Sequence, residues 1–337
     1  MKIAVDAMGG DKAPAVVIEG ARDALADRPD IEQLLLVGDQ SVVAHHCARL
    51  GLGGPRVRIV HAPETIGMGE SPVAALRGKK QSSIALATEL VKSGEAHAVL
   101  SAGNTGAMVA AATLKLRLLK GVERAGIASP LPNEHGICNI LDAGANPEAR
   151  PRHLVHYALM GTAFARHVLG VEQPAVGLMC NGKEDDKGTA FTRVTFALLK
   201  ETPGIHFVGN VEGHDLFESK LDVVLCDGFT GNAVLKACEA TAKAVSKWLK
   251  IELTRSPLRT LGAAMSRGAY AALKAKASYE SYGGSPLLGV NGVVIIAHGS
   301  SSALAIRNAI RVACESVVHK VNPHIEEALA APGSSAP

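Results

Sequence analysis

Short, almost wholly apolar runs alternate with longer stretches of helical spacing along most of the chain. Ile3 to Val5, Leu34 to Val37, Ala98 to Leu100, Ala175 to Met179 and Val223 to Leu225 have no polar side to present, as strands covered on both faces require. Val57 to Val60 and Ile205 to Gly209 read as further strands. Helices fall between them. One runs over Lys12 to Ala26, capped by Asp11 with Pro14 in its first turn; another is opened by Gly38-Asp39 and ends near Gly51. Ser82 to Lys92 is spaced by Ile84, Leu86, Leu90 and Val91, and Thr105 to Leu119, Arg152 to Leu169, a segment ending at Lys200 and a long one from Ala233 come after it. This alternation predicts a mostly parallel sheet with helices on both faces, a three-layer α/β/α sandwich. The middle departs from it: Ile127 to Leu131 and Ile137 to Leu141 flank Pro132 to Gly136, a hairpin-like connection that mixes antiparallel pairing into the sheet. No fixed-period repeat or linker interrupts residues 1–322, which read as a single α/β domain. Residues 323–337, with the small, Pro/Ser-rich run from Ala328, are expected to fray.

The turns beyond the strands carry the chemistry. After Val223 to Leu225, the residues Asp227, Gly228, Thr230, Gly231 and Asn232 crowd small and polar side chains into one turn before a helix. Alone, such a turn is an ordinary strand-to-helix connection. It recurs, however, as Asp6 to Asp11 with Gly9 and Gly10, as Ser101 to Ala107 with Asn104, Thr105 and Gly106, as Asn181 to Gly188, and as His298 to Ser302 with Ser300. Ligands of open α/β sheets sit beyond the carboxyl ends of the strands, and helix N-termini favour anions there. Several such turns in one chain predict a shared anion-binding cleft.

Composition narrows the class. A 47% hydrophobic, 20% charged chain of 337 residues describes a globular protein with a large core. A formal charge of +3 and 3% aromatics exclude a nucleic-acid-binding platform. Cys47, Cys138, Cys180, Cys226, Cys238 and Cys314 are scattered without a C-x-x-C pair, as buried thiols of a reducing compartment are. The N-terminus runs straight into a strand and Asp6, so no signal peptide is read there. Ala98 to Leu114 is uncharged, but its Ser, Asn, Thr and Gly residues argue against a membrane span.

Residues 243–276 stand apart. They hold eight basic residues (Lys243, Lys247, Lys250, Arg255, Arg259, Arg267, Lys274, Lys276) and one acid, Glu252. Ser256-Pro257 restarts a helix, giving a basic amphipathic hairpin. Its first helix shows Val245, Trp248, Leu249 and Leu253 on one face; its second shows Leu258, Leu261, Met265, Ala269 and Leu273. The pattern fits an anionic membrane surface, with Trp248, Leu249, Leu258, Leu261 and Met265 facing the lipid, and fits equally a partner subunit.

Single residues discriminate less. Gly177-x4-Gly182-Lys183-Glu184 fails as a P-loop, because Glu stands at the Ser/Thr position and Gly177 falls inside the strand. No G-x-G-x-x-G opens a helix. His153 and His156 lack a third ligand, so no metal site is assigned. Lys187, beside Gly188 at a helix start, works against the helix dipole and suits a ligand; the alternative is a surface lysine paired with Glu184, Asp185 or Asp186. Asn104 and Asn232 can hold a phosphate or an oxyanion, or serve the turn conformation. His298 is a candidate acid/base group or a hydrogen-bonded structural residue.

Taken in order, Asp6 to Asp11, Ser101 to Ala107, Leu141-Asp-Ala-Gly-Ala-Asn146, Cys226 to Asn232, Tyr282 to Gly289 and His298 to Ser301 resemble the PlsX family of acyl-ACP:phosphate acyltransferases, from residue 3 to about 320. The resemblance implies transfer of a fatty acyl group from acyl carrier protein to inorganic phosphate, giving acyl phosphate for phospholipid synthesis. It implies a fold similar to the isopropylmalate dehydrogenases and phosphotransacetylase, with no metal or redox cofactor needed. It further implies a cytoplasmic homodimer in peripheral membrane contact near a glycerol-3-phosphate acyltransferase. On this resemblance Lys187 and Asn232 are the expected catalytic residues. Asn104, Thr105, Gly106, Gly228, Thr230 and Gly231, with Gly9, Gly10, His298 and Ser300, are the expected phosphate- and substrate-binding set. The chain departs from the family's Asn-Ile-Gly before the lysine: Cys180-Asn181-Gly182 stands there. Rival readings are an acyl-Cys route through Cys180 or Cys226 with His298 as base, a coenzyme A-dependent phosphotransacetylase, and a membrane scaffold acting through residues 243–276.

Overall fold

The computed structural model describes residues 1–277, 280 and 282–331. Strand and helix alternate from the start: β1 (Lys2–Asp6), α1 (Ala15–Asp27), β2 (Gln33–Gly38), α2 (Gln40–Arg49), β3 (Val57–His61), α3 (Pro72–Gly78), α4 (Ser83–Lys92), β4 (Ala98–Ser101) and α5 (Thr105–Ala111). A π-helical turn over Ala112–Leu116 ends α5 short of the predicted Leu119. The middle holds β5 (Gly126–Ile127), β6 (Ser129–Asn133), β7 (Gly136–Leu141), α6 (Pro151–His167), β8 (Ala175–Met179), α7 (Ala190–Glu201), β9 (His206–Val211), α8 (Asp215–Glu218) and β10 (Val223–Leu225). The chain closes with α9 (Gly228–Leu253), α10 (Pro257–Met265), α11 (Arg267–Ala277), β11 (Ser285–Leu288), β12 (Val293–Ile296), α12 (Ala303–Val318) and α13 (Val321–Ala330).

The strands of the described residues divide into two sheets. Seven run in the order β3-β2-β1-β4-β12-β11-β5, and five in the order β6-β7-β10-β8-β9. Both are mostly parallel; β11 pairs antiparallel with β12 and β5, and β6 with β7. The single strand expected over Ile127 to Leu131 is cut at Ala128. Its first part pairs in the larger sheet and its second in the smaller one, while the Ala128 N–H donates to Pro286 O at 2.9 Å. Apolar residues fill both faces of the sheets. Val17, Ile18, Tyr157, Phe164, Ile306 and Ile310 pack on one side; Leu76, Ile84, Leu90, Met108 and Leu116 pack on the other. Helices thus cover both faces, because strands such as β10, and β4 up to Leu100, are apolar in every direction.

Two expectations are corrected. Residues 323–330 are helical instead: α13 continues the fold and buries Val321 and Ile325, packing against α6. Residues 332–337 of that tail lie outside the described residues. The long helix begins at Gly228, not Ala233, so Thr230, Gly231 and Asn232 are helical residues instead of loop.

Candidate active site

Two groups of turns meet at the carboxyl ends of the strands. In the larger sheet, the turns after β1, β4 and β12 touch. The Asp11 N–H donates to Gly299 O at 2.8 Å, and a Cβ on Gly9 would stand 2.6 Å from the Gly103 nitrogen. Gly10, at φ +111°, lies against Gly299 and Ala102, in the left-handed region that favours glycine. Asp6 is buried beneath them, its carboxyl pushed up by burial and accepting from Ser101 Oγ at 2.7 Å.

In the smaller sheet, the turns after β7 and β10 interlock. Asp142 accepts from the backbone N–H groups of Ile127, Gly144, Ala145 and Asn146. The Gly228 N–H donates to Asn146 O at 3.0 Å, and a Cβ on Gly231 would stand 2.0 Å from Asp142 O. Only glycine allows this approach of the α9 N-terminus to the β7 turn. Asp227 caps α9, accepting from Thr230 N–H and from Thr230 Oγ1 at 2.9 and 2.7 Å. Thr230 Oγ1 therefore serves the cap. Asn232 is exposed and lies against Gly144, its Cβ 3.5 Å from the place a Gly144 Cβ would take.

Lys187 comes from the loop after β8, which is hydrogen-bonded alongside β10 with Leu178 facing Leu225. The loop is held by Asn210 Nδ2 donating to Glu184 O and by Arg193 donating to Gly188 O. The Lys187 stem packs on Gly182. The acids do not take its charge: Asp185 pairs with Lys200 and Lys183 with Asp215, while Lys187 makes no ion pair among the described residues. Cys180 lies half-buried under Gly188.

Other expected residues are placed differently. Asn104 is buried and fully engaged. Its Oδ1 accepts from Ala107 N–H, and its Nδ2 lies within 3.3 Å of the carbonyl oxygens of Gly67, Met68 and Glu70. It caps α5 and fixes the 67–70 loop instead of presenting its amide to a ligand. Gly106 packs against Pro72 of α3, and Thr105 is exposed at the start of α5. Cys226 is buried, its thiol pushed well above the usual range by burial, with the Asp142 and Asp227 carboxylates adding to the effect. That is a poor nucleophile.

His298 links the two groups of turns. Its Nε2 lies 3.2 Å from Lys236 Nζ and 3.6 Å from Glu239 Oε2, both on α9. Its Nδ1 lies 2.8 Å from Ser300 Oγ and 3.1 Å from the Ser300 N–H. Burial pushes the imidazole pKa down, with Glu239 opposing and Lys236 and Lys243 adding to the shift. Sequence reading missed Lys236 and Glu239. The available signal was helical spacing, since Asn232, Lys236, Glu239 and Lys243 lie on one face of α9. A polar cavity of about 490 Å³ opens past the β7 turn, lined by Glu123, Arg124, Asn146, Glu148, Arg150 and His153, away from Lys187 and His298.

Trp248, Leu258 and Met265 are 63, 80 and 83% exposed, and Leu249 and Leu261 are exposed beside them. The predicted hairpin is three helices, α9 to α11, with no buried residue in α10. No helix among the described residues is long and apolar enough to cross a membrane.

The fatty acid synthesis protein family matches residues 1–324. A phosphate acyltransferase of Akkermansia muciniphila is 60% identical, covering 99% of this chain and 97% of that protein. A phosphate acyltransferase of Pelotomaculum thermopropionicum is 48% identical, covering 98% and 95%. Among solved structures, a Streptococcus pyogenes phosphotransacetylase superposes with a TM-score of 0.62 at 15% identity, covering 94% of each chain. A branched-chain phosphotransacylase from Enterococcus faecalis V583 gives a TM-score of 0.57 at 13% identity, covering 94% of this chain and 99% of that one. These two show a shared fold.

Proposed function

The chain belongs to the phosphate acyltransferase family of fatty acid synthesis proteins, and from that premise we propose that it moves a fatty acyl group from acyl carrier protein to inorganic phosphate, supplying acyl phosphate for phospholipid synthesis. One observation carries this reading. Lys187, unpaired among the described residues, stands on the turn next to the start of α9, where Asn232 is exposed. The helix N-terminus and Lys187 attract a dianion, and Asn232 offers an amide donor to the oxyanion that forms beside it.

The reaction needs no acylated side chain. A phosphate oxygen attacks the thioester carbonyl carbon, the C–O bond forms, and the tetrahedral intermediate expels the thiolate of the phosphopantetheine arm. The proton carried by hydrogen phosphate ends on that sulfur, so acyl phosphate and free thiol leave. Positioning and charge neutralisation supply the rate. The buried Cys226, with its raised pKa, argues against an acyl-Cys route.

The exposed apolar face of α9 and α10 with its basic flanks supports a homodimer in peripheral contact with an anionic membrane, where a glycerol-3-phosphate acyltransferase would use the product. The same basic face suits an acidic carrier protein.

The test is acyl-phosphate formation by purified protein from palmitoyl-carrier protein and inorganic phosphate, with palmitoyl-coenzyme A in parallel. Product from the carrier-bound donor supports the reading. Preference for the coenzyme A thioester would turn it toward a coenzyme A-dependent phosphotransacylase, and no product from either would remove it.

A further inference from the structure

Lys236 and Glu239 belong to none of the turns expected to bind substrate, yet they sit where the two groups of turns meet. Lys236 lies one helical turn beyond Asn232, so both project from the same side of α9. Its Nζ lies 3.2 Å from Glu239 Oε2 and 3.2 Å from His298 Nε2.

One fixed donor sets the protons of this cluster. The Ser300 backbone N–H points at His298 Nδ1 from 3.1 Å, and a backbone amide can only donate. Nδ1 is therefore the acceptor, and Ser300 Oγ, 2.8 Å from it, donates to the same atom. A neutral ring must then carry its proton on Nε2. Burial and the nearby Lys236 and Lys243 ammonium groups favour that neutral ring, against Glu239 and Asp11. Nε2–H and the Lys236 ammonium are thus two donors side by side. Neither can accept from the other; Lys236 Nζ donates to Glu239 Oε2 at 3.2 Å, and Nε2 faces the same oxygen from 3.6 Å, beyond hydrogen-bond distance.

Two donors facing one carboxylate oxygen, one of them bonded to it, form an anion site with an anion already in it. Ser301 Oγ, in the same turn as His298, is buried without a hydrogen-bond partner among the described residues, so the turn holds polar capacity beyond what the fold uses. We propose that Lys236 Nζ and His298 Nε2–H are the donors of a subsite for the attacking phosphate, and that Glu239 occupies it as an internal counter-ion that incoming phosphate displaces. This rests on the acyl-to-phosphate reading above and adds its second cation. Lys187 approaches from the β8 turn of the smaller sheet, while Lys236 closes the cleft against the β12 turn of the larger one.

A competing carboxylate makes an unusual demand: removing it should improve binding. Glu239→Gln is expected to lower the KM for phosphate by about fivefold or more, the least that one displaced charge at contact distance is worth in water. Its KM for the acyl donor should change little. Lys236→Met should raise the phosphate KM at least about tenfold. In the double variant the gain from Glu239→Gln should vanish, because the cation it competes for is gone.

Calorimetric titration with inorganic phosphate reads the same affinities without turnover. Imidazole 15N shifts, assigned through His298→Gln, read the Nε2–H tautomer directly. If Glu239→Gln raises the phosphate KM as Lys236→Met does, Glu239 merely holds Lys236 in place and the counter-ion role is overturned. A shift in the KM of the acyl donor alone would assign the subsite to the phosphodiester of the carrier arm and overturn the assignment to inorganic phosphate. Should the wild type make no acyl phosphate, the proposed function fails by itself, and the calorimetric series still decides the subsite.

Discussion

Lys183 Nζ lies 3.0 Å from Asp215 Oδ1, and that contact separates the two lysines of one loop. Lys183 is bound into the smaller sheet's edge. Lys187, four residues on, is left for the cleft. Lys187→Ala is expected to reduce turnover ~100-fold with the melting temperature unchanged. Lys183→Ala should do the reverse, lowering stability while sparing most activity. Steady-state rates and thermal melts of both variants check this.

Asp215 adds a pH signature. Burial works against its charge, but hydrogen bonds from Ser219 and the Glu212 N–H, with the Lys183 ammonium, outweigh it and hold the carboxyl down at about 2. A depressed folded pKa means the stabilisation is full above the unfolded value of about 4 and is lost as pH falls toward 2. The stability gap between wild type and Asp215→Asn should therefore be widest near neutral pH and close between about pH 4 and pH 2. A gap constant across that range in denaturant titrations would contradict the account.

Asn104 holds the 67–70 loop by its amide nitrogen and caps α5 by its oxygen. Asn104→Asp keeps the cap but turns a carboxylate oxygen toward three carbonyls, so it should cost more than Asn104→Ala, roughly 2–4 kcal/mol in denaturant melts. Limited proteolysis should cut near Met68 sooner in both variants. Unchanged proteolysis would mean the loop is held by other contacts.

The thiols separate direct attack from an acyl-enzyme route. Cys180→Ala should keep full activity. Cys226→Ala should keep activity at some loss of stability, roughly 1–2 kcal/mol for a small buried side chain. A folded but inactive variant of either, with acyl-enzyme trapped on the wild type in the absence of phosphate, would establish the covalent route instead.

Leu258 and Met265 are the most exposed of the apolar residues on α10. Leu258→Asp with Met265→Asp is expected to abolish co-sedimentation with anionic phosphatidylglycerol vesicles while leaving acyl-phosphate formation from soluble substrates within about twofold. If vesicle binding persists and the variant instead becomes monomeric by light scattering, this face is a subunit contact.

The chain by itself determined the local elements and the ends of the strands. The runs Ile3 to Val5, Leu34 to Val37, Ala98 to Leu100 and Val223 to Leu225 within β1, β2, β4 and β10 are apolar on every side, and that fixes burial between helix layers whatever their neighbours are. The polar, glycine-bearing turns mark where those strands stop, so the strand ends were legible. Which partner each polar side chain takes was not. Asn104 reads like Asn232 in sequence, yet one is consumed by a loop 34 to 37 residues away and the other is exposed. Lys183 and Lys187 share one acidic loop, and only the approach of α8 with Asp215 tells them apart. Lys236 and His298 are 62 residues apart and meet because α9 of the smaller sheet reaches the β12 turn of the larger one. The strand cut at Ala128 and the docking of α13 on α6 depend likewise on surfaces supplied by distant segments. Apolar periodicity is a property of neighbouring residues, but hydrogen-bond partnership is set by the register of strands far apart in the chain, and only the tertiary structure supplies that register.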